Sequence, residues 1–341
     1  MKKIFRFFCL ILCICLCGAG FHVKKYNGKA EISAGKAECV IECNSGRILY
    51  ESHGDLRLPM ASTTKILTAI TVLEMAEDLQ ENVVIPPEAV GIEGSSVYLT
   101  AGDIYTVEEL LYGLMLRSGN DCAVTLALFF GGTVSAFCSQ MNLTAQKAGA
   151  LDSSFVNPHG LPEKNHYTTA RDLCYIARHA MQNPTFQRIV ATKNYEKRQW
   201  HNKNKMLMEC NGCIGIKTGY TKEAGRCLVS GATRDDMTVI TCVLNCPSMY
   251  ERSMALIDDA FATYCNTLIL EKEMVLPIFV KDEKTYGKVL QHYYYPLTEG
   301  EKAHLEICTE ALSDDKIQKT VGQFRIYLAK RLLFSGNLYK L

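Results

Sequence analysis

The apolar positions of this chain follow a helical period in its first half. Between residues 61 and 76 apolar side chains recur throughout and charge is almost absent after Lys65, which predicts a helix buried on most sides. Thr106 and Glu109 form a capping box, so a second helix is predicted to begin there and to end at Gly119. A further apolar stretch over 123–130 predicts the helix that follows.

The period changes to that of β-strands near residue 213. Residues 213–220 alternate in polarity and include small side chains, as expected of a strand whose backbone a ligand approaches. The segments 226–233 and 237–246 flank the polar turn 234–236 and predict an antiparallel hairpin. A sheet that contains this hairpin and the preceding strand is therefore predicted.

The carboxyl-terminal part differs from the rest in its pattern. Residues 248–265 are still helical, but short strand-like runs follow them. Strands are predicted over 273–280, 288–294, 304–308 and 323–330. Helices and an antiparallel sheet in the first part predict a large α+β domain over 30–267, and the strand-like runs predict a small β-rich domain over 268–341.

Three short polar motifs lie on these elements. Ser62 and Lys65 are three residues apart in the first turn of the predicted buried helix, so the hydroxyl and the amine share a face. Ser118-Gly119-Asn120 stands at the corner between two helices, and Lys217-Thr218-Gly219 lies within the first predicted strand of the sheet. Together the motifs supply a nucleophile, two amines and a hydroxyl relay.

Each motif taken alone has an ordinary structural explanation. The S-x-x-K pattern recurs at Ser33, which precedes a predicted strand, and at Ser313, which stands among acidic residues. A Ser-Gly-Asn string is most often a pair of helix caps, and a Lys-Thr-Gly string is most often a surface turn. The buried helical start at Ser62 distinguishes it from the two other serines.

A serine hydroxyl needs a neighbouring base before it becomes a strong nucleophile. Lys65 can be that base only when it is uncharged. Burial and a second cation, Lys217, would both lower the pKa of its amine in the required direction. The N-terminus of the helix also directs backbone N–H groups toward an incoming carbonyl oxygen. The motifs therefore favour Ser62 as a nucleophile activated by Lys65.

The three motifs resemble those of penicillin-binding proteins and serine β-lactamases. From about residue 37 onward the chain resembles the peptidase S11 family, the low-molecular-weight penicillin-binding proteins that are serine-type D-alanyl-D-alanine carboxypeptidases. The resemblance implies an α+β fold: a β-lactamase/transpeptidase-like domain, with an antiparallel sheet flanked by helices plus a helical subdomain, followed by a small β-rich C-terminal domain. The segments that carry it are 46–50, 59–65, 116–121, 157–161, 166–172, 202–204, 215–221 and 224–225.

The resemblance implies a role for each residue of the first two motifs. Ser62 would be the acyl-ester nucleophile, Lys65 its proton acceptor and Ser118 part of the proton relay. Asn120 would hold the substrate amide. The reaction implied has two steps: Ser62 attacks the carbonyl between two D-alanines and expels the last one, and water then frees the enzyme.

The strand motif is implied to bind the far end of the substrate. Lys217 and Thr218 would bind the carboxylate of the terminal D-alanine. Gly219 leaves the backbone N–H of Tyr220 open, so that this group and the N–H of Ser62 would form the oxyanion hole.

Three further residues are interpreted through the resemblance. Arg252 resembles a family arginine near the bound carboxylate. His159 and His166 are predicted to be structural, because the family transfers protons without an imidazole. No cofactor and no metal are predicted, since no histidine or acidic cluster has ligand spacing.

The implied substrate is the stem pentapeptide of peptidoglycan, and β-lactams would be trapped as acyl-enzymes. A DD-endopeptidase acting on cross-links is the nearest alternative, because the chemistry is the same and only the cleft differs. A class A β-lactamase would need a Glu-x-x-Leu-Asn loop, whereas Glu163 is followed by Lys-Asn-His. A non-catalytic wall-binding protein need not keep Ser62, Lys65, Ser118 and Lys217 together.

Charge and the N-terminus indicate where the protein acts. The 341 residues carry a formal net charge of +1, so nothing in the charge suggests nucleic acid. Three basic residues precede the apolar run 7–17, which predicts a signal peptide over 1–20 and export to the cell envelope. The run is shorter than the roughly 20 residues of a membrane span. Membrane contact stays open, because the chain ends at 337–341 without the amphipathic helix of many family members.

Cysteine is unusually frequent, with 16 residues, four of them in the predicted signal peptide. Along an extended strand Cys39 and Cys43 would lie about 13 Å apart, too far for a disulfide. Only Cys210 and Cys213, on either side of an Asn-Gly turn, are well placed to close a bridge. Free thiols are favoured over a bridge at this pair.

Overall fold

The computed structural model describes residues 33–280, 283–312 and 319–341 of the chain. The chain divides into two compact units, and the division falls between Asn266 and Thr267. The predicted signal peptide over 1–20 and the motif at Ser313 lie outside the described residues.

A five-stranded antiparallel sheet forms the centre of the first unit. Its order is β2-β1-β9-β8-β7, so the strand with the Lys-Thr-Gly motif lies at one edge. The other strands form two short antiparallel pairs. The strands of this unit are β1 (Ala37–Glu42), β2 (Ile48–Ser52), β3 (Asn82–Val84), β4 (Ile104–Thr106), β5 (Asn194–Tyr195), β6 (Trp200–His201), β7 (Cys213–Thr221), β8 (Gly225–Arg234) and β9 (Met237–Leu244).

Helices cover both faces of this sheet. The helices are α1 (Lys65–Met75), α2 (Val107–Tyr112), α3 (Asn120–Gly131), α4 (Val134–Lys147), α5 (Ala170–Ala180), α6 (Pro184–Ala191), α7 (Met206–Glu209) and α8 (Met249–Thr263). Side chains of a strand alternate between the two faces. Cys39 and Ile41 of β1 accordingly join the core cluster of α1 and α5, whereas Val40 joins the cluster of α8.

The helices predicted from the apolar pattern are confirmed, with changes at their ends. The first begins with a 3-10 turn over residues 61–64, ahead of α1. The capping box is present, because the N–H of Glu109 donates to the Thr106 hydroxyl at 3.2 Å and the N–H of Thr106 donates to the Glu109 carboxylate at 2.9 Å. The prediction that Gly119 ends this helix is wrong. A π-helical turn ends it at Ser118, whose φ of 65° lies in the left-handed region.

The predicted hairpin is confirmed as β8 and β9, with a shorter turn. Arg234 pairs with Met237, so only Asp235 and Asp236 lie between the strands, with φ of 44° and 61°. Positive φ at both turn residues suits the twist of a two-residue hairpin. β7 pairs with β8 from Cys213 to Thr221, which fixes the Lys-Thr-Gly motif in the sheet.

The chain beyond α8 is built of strands, as predicted. The predicted strand over 288–294 is wrong, because the chain turns between Lys288 and Tyr293 although its pattern there is partly apolar. One sheet has the order β11-β12-β16-β15-β14, and β10 pairs with β13. These strands are β10 (Cys265–Leu270), β11 (Val275–Val280), β12 (Glu283–Lys288), β13 (Tyr293–Leu297), β14 (Leu305–Ala311), β15 (Thr320–Leu328) and β16 (Arg331–Tyr339).

Among the described residues, Cys308 and the ten cysteines from Cys39 to Cys246 are free thiols. The Asn-Gly turn between Cys210 and Cys213 was predicted to be a hairpin turn, and this is wrong, because it joins α7 to β7. In the described ranges no single helix is long and apolar enough to cross a membrane. The bent pair of α3 and α4, which meet at 89°, has the necessary length and composition only when the two helices are taken together.

Candidate active site

Ser62 lies in a tight turn at the amino-terminal end of α1. The Met60 carbonyl accepts hydrogen bonds from the N–H of Thr63 at 3.3 Å and from its hydroxyl at 2.7 Å, which closes the 3-10 turn. Ala61 has a φ of 51°, a conformation that residues with a side chain rarely adopt. The turn leaves the Ser62 side chain half-buried at the start of the helix.

The amine of Lys65 is fully buried and surrounded by oxygen atoms. Its Nζ lies 3.0 Å from Ser62 Oγ, 2.6 Å from Asn120 Oδ1 and 2.7 Å from the His159 carbonyl oxygen. The last two oxygens can only accept hydrogen bonds. An uncharged amine has two N–H groups and one lone pair. When it donates to these two oxygens, its lone pair is left for the proton of the Ser62 hydroxyl.

The orientation of the Asn120 amide is set by a second contact. Its Nδ2 donates to the carbonyl of Glu93, which directs Oδ1 toward Lys65. The next residue, Asp121, is buried, and its carboxylate accepts hydrogen bonds from the Ser96 hydroxyl and from the N–H groups of Val97 and Leu99. The Ser-Gly-Asn motif is therefore held rigidly against the loop that precedes β4.

Ser118 occupies the left-handed position between the π-helical turn and α3. It is 6% exposed, so its hydroxyl lies within the buried part of the site. The two residues that follow it, Gly119 and Asn120, begin α3, so Ser118 is two residues from the amide that contacts Lys65.

Both motif lysines are buried. Burial lowers the pKa of Lys65 well below its ordinary value of 10.5, and the nearby ammonium of Lys217 lowers it further. Burial also lowers the pKa of Lys217 to about 7, and Lys203 adds to this effect. Within the described ranges neither amine forms an ion pair with a carboxylate. Burial therefore favours the uncharged form of both amines, and the charge of Lys217 adds to this effect at Lys65.

The Lys-Thr-Gly strand meets the Ser62 turn through the backbone of Gly219. A Cβ atom at Gly219 would lie 3.1 Å from the backbone nitrogen of Ser62, closer than nearly all real contacts, so glycine allows this approach. Lys217 is buried and its amine donates to the Thr218 carbonyl at 2.9 Å. Thr218 is half-buried, whereas Tyr220 is 66% exposed. Ser62 and the strand motif are thus in direct contact.

His159 and His166 lie beside this site with uncharged rings. Burial lowers the pKa of His159 to about 3 and that of His166 to about 4, and Lys65 contributes to both shifts. Each Nδ1 accepts a backbone hydrogen bond, from the N–H of Leu161 at 3.2 Å and from the N–H of Val156 at 3.1 Å.

Arg252 lies apart from the hydrogen-bonded group around Lys65. Its guanidinium donates to both carboxylate oxygens of Glu38, at 2.9 Å and 2.7 Å, and to the hydroxyl of Tyr50 at 3.3 Å. Glu38 is fully buried, so this ion pair neutralises a charge inside the fold. A role at the substrate carboxylate stays a prediction from the resemblance.

Four contributors to the site belong to no motif. Glu93 and His159 act through their carbonyls, which a pattern of side chains does not reveal. Gly160 has a φ of 93°, and a Cβ there would overlap the carbonyl of Ala61. Lys203 acts at a distance on the pKa of Lys217. Its place between Asn202 and Asn204, which resemble the family, was the available signal.

The comparisons with known proteins agree with this geometry. The family model for D-alanyl-D-alanine carboxypeptidases, peptidase S11, matches residues 23–248. The D-alanyl-D-alanine carboxypeptidase DacF of Bacillus subtilis is 31% identical over 264 residues, which cover 73% of this chain and 68% of DacF. A D-alanyl-D-alanine endopeptidase of Escherichia coli is 31% identical over 233 residues, which cover 64% of this chain and 74% of that endopeptidase. Penicillin binding protein 5 of Haemophilus influenzae superposes with a TM-score of 0.75 at 26% identity, over 92% of this chain and 97% of that one.

A serine and a buried lysine at a helix start, beside a Lys-Thr-Gly edge strand, are typical of serine enzymes that bind penicillin. The predicted fold, an antiparallel sheet flanked by helices and followed by a β-rich region, is confirmed. The chain belongs to the peptidase S11 family and is a serine-type D-alanyl-D-alanine carboxypeptidase.

Proposed function

We propose that this enzyme removes the terminal D-alanine from peptidoglycan stem pentapeptides through an acyl-enzyme on Ser62. The observation that supports the nucleophile best is the contact of 3.0 Å between Ser62 Oγ and the buried amine of Lys65. Uncharged Lys65 takes the hydroxyl proton as Ser62 attacks the carbonyl between the two D-alanines. The N–H groups of Ser62 and Tyr220 stabilise the negative oxygen of the tetrahedral intermediate.

The intermediate then loses the terminal D-alanine. The C–N bond breaks, and the proton taken from Ser62 passes from Lys65 to the leaving amine, with the Ser118 hydroxyl as part of the relay. Asn120 holds the substrate amide. A water molecule attacks the ester and restores Ser62. A β-lactam reacts by the same first step, but its leaving amine stays attached to the acyl group, so the acyl-enzyme persists.

Lys217 and Thr218 bind the carboxylate of the terminal D-alanine, and Gly219 gives it room. A carboxylate beside Lys217 restores the charge of this amine, because an anion raises the pKa of a neighbouring ammonium group. Binding of substrate therefore favours a charged Lys217, which in turn keeps Lys65 uncharged.

We also propose that the protein acts outside the cytoplasm, in the cell envelope where peptidoglycan lies. The sequence 1–20 and the envelope substrate support this location. The DD-endopeptidase activity remains the second candidate, and the similar endopeptidase of Escherichia coli favours it.

Product analysis separates the two activities. The purified enzyme is incubated with a D-Ala-D-Ala pentapeptide and, separately, with a cross-linked dimer, and the products are identified by mass spectrometry. We expect release of D-alanine from the pentapeptide and slower or no cleavage of the dimer. Faster cleavage of the dimer would contradict the carboxypeptidase assignment.

Labelling with a fluorescent penicillin tests the nucleophile. Ser62→Ala is expected to abolish labelling, whereas Ser33→Ala, the matched change in the other described S-x-x-K string, is expected to leave it unchanged. Labelling that persists in Ser62→Ala would refute the nucleophile.

A further inference from the structure

A chain of hydrogen bonds runs from His166 to the peptide group that precedes Ser62. His166 Nε2 lies 3.0 Å from the Thr64 hydroxyl, and that hydroxyl donates to the Ala61 carbonyl at 2.8 Å. Both side chains are at least 95% buried. No proton transfer described above uses these residues, although they lie directly beneath the nucleophile.

The direction of each bond follows from the chemistry of its partners. The N–H of Val156 can only donate, so His166 Nδ1 accepts and carries no proton. In a neutral ring Nε2 then carries the proton and donates to the Thr64 hydroxyl. The hydroxyl proton of Thr64 is therefore available for the hydrogen bond to the Ala61 carbonyl oxygen. The His166 ring is neutral because burial lowers its pKa to about 4.

The Ala61 carbonyl and the Ser62 N–H belong to one peptide group. In a trans peptide these two groups point in opposite directions. Fixing the carbonyl therefore fixes the direction of the N–H on the other side, where Gly219 of the edge strand approaches the Ser62 nitrogen. Gly160 packs against the same carbonyl, because a Cβ at Gly160 would overlap it.

This peptide group needs such support. The φ of 51° at Ala61 is unfavourable for a residue with a side chain, and such conformations persist only where surrounding contacts enforce them. A hydrogen bond to the carbonyl also polarises the peptide group and strengthens its N–H as a donor.

We propose that Thr64 and His166 are positioning residues that hold the Ala61–Ser62 peptide group so that the Ser62 N–H points into the oxyanion hole. The proposal rests on the proposed function, in which that N–H binds the negative oxygen. It predicts that loss of either residue weakens stabilisation of the tetrahedral intermediate and leaves substrate binding unchanged.

Thr64→Val tests the proposal, because valine keeps the shape of threonine and removes the hydroxyl. We expect kcat and the acylation rate by benzylpenicillin to fall about 10- to 100-fold, less than the roughly 100- to 1,000-fold loss on removal of an oxyanion-hole donor itself, with KM within about twofold. The affinity for a boronic acid that forms a tetrahedral adduct with Ser62 should fall by a similar factor. Thr64→Ser, which keeps the hydroxyl, should retain near-normal values.

Two further variants serve as control and safeguard. Thr71→Val removes another buried hydroxyl of α1, one without a hydrogen-bond partner among the described residues, and should leave kcat unchanged. His166→Phe removes both ring nitrogens while it keeps a ring, and should reproduce the loss if Thr64→Val does not fold. Folding is checked by circular dichroism.

Wild-type acylation and boronate affinity in folded Thr64→Val or His166→Phe would overturn the proposal, as would a raised KM with unchanged kcat. These outcomes leave Ser62 as the nucleophile. Labelling of Ser62→Ala by penicillin would instead refute the proposed function itself, so the two failures are distinguishable.

Discussion

Buried charges lie in two kinds of surroundings within the first unit. Glu38 is fully buried and is paired with Arg252, and Glu109 is 3% exposed and is paired with Arg198. Lys65 is buried as deeply as Glu38, yet among the described residues its amine contacts only oxygens of a hydroxyl, an amide and a carbonyl.

The difference separates charges that serve the fold from charges that serve the chemistry. Although burial opposes it, hydrogen bonds from Arg198 and from the N–H of Thr106 hold the pKa of Glu109 at about 2, so this carboxylate stays charged. Lys65 forms no ion pair among the described residues, and burial together with the charge of Lys217 outweighs the field of Asp121, so its pKa is lowered. At Lys65 the surroundings thus favour the uncharged amine that a base requires.

Replacing each motif lysine with arginine should give the largest effect. A guanidinium stays charged in proteins, so Lys65→Arg removes the base, and we expect acylation by benzylpenicillin to fall about 10³-fold. Lys217→Arg keeps a cation that can bind the carboxylate, so the acylation rate should fall by about tenfold or less. Stopped-flow acylation measures both variants. Equal losses in the two would contradict the distinct roles of the lysines.

Breaking the ion pair of Arg252 should affect the fold more than the chemistry. Arg252→Met leaves the charge of Glu38 buried and unpaired, and we expect the free energy of unfolding to fall by about 3 kcal/mol. Urea denaturation measures this, and the double variant with Glu38→Gln should recover part of the loss. A stable variant with a raised KM would show that Arg252 binds the substrate carboxylate instead.

The sequence was informative where chemistry resides in side chains at short spacing. Ser62 and Lys65 are three residues apart on one chain segment, so their contact follows from helical geometry alone. The contacts of Lys65 with Asn120 and with the carbonyl of His159 join residues 55 and 94 positions away, and no local pattern encodes them.

Helix ends and strand ends were harder to predict for a related reason. The helix predicted to end at Gly119 ends at Ser118, which adopts a left-handed conformation that a glycine adopts more readily. The chain turns between Lys288 and Tyr293 although its pattern there favours a strand. The local pattern of apolar residues does not reveal where one strand ends and the next begins.

The neutral histidines should make stability depend on pH. Their pKa values of about 3 and about 4 lie below the ordinary 6.5, so the unfolded state binds protons that the folded state does not. Stability is therefore fully present above pH 6.5 and is lost as pH falls from 6.5 toward 3. Each histidine should contribute about 1.4 kcal/mol per pH unit in that window. Urea denaturation of wild type and His159→Gln at pH 5 to 7 checks this, and equal slopes would contradict it.

The smallest expected effect concerns the field of Lys203. In the pH profile of kcat/KM, the fall on the alkaline side (the alkaline limb) should report the loss of charge on Lys217, whose pKa is about 7 in the free enzyme. Lys203→Gln removes a cation that lowers the pKa of Lys217. The fall of kcat/KM on the alkaline side should therefore move to higher pH, by less than about one pH unit. Lys205→Gln is the matched control and should leave it in place. An unchanged or lowered limb in Lys203→Gln would show that burial alone sets the pKa.

The central claim is that an uncharged Lys65 activates Ser62. The most direct test is the rate constant of acylation by benzylpenicillin, measured in single turnovers at saturating concentration as a function of pH. The rate constant is predicted to reach a level value well below pH 10.5 and to fall about tenfold per pH unit only below the lowered pKa of Lys65. A rate constant that keeps rising up to pH 10 would mean that Lys65 titrates near its ordinary value of 10.5, and it would contradict the claim.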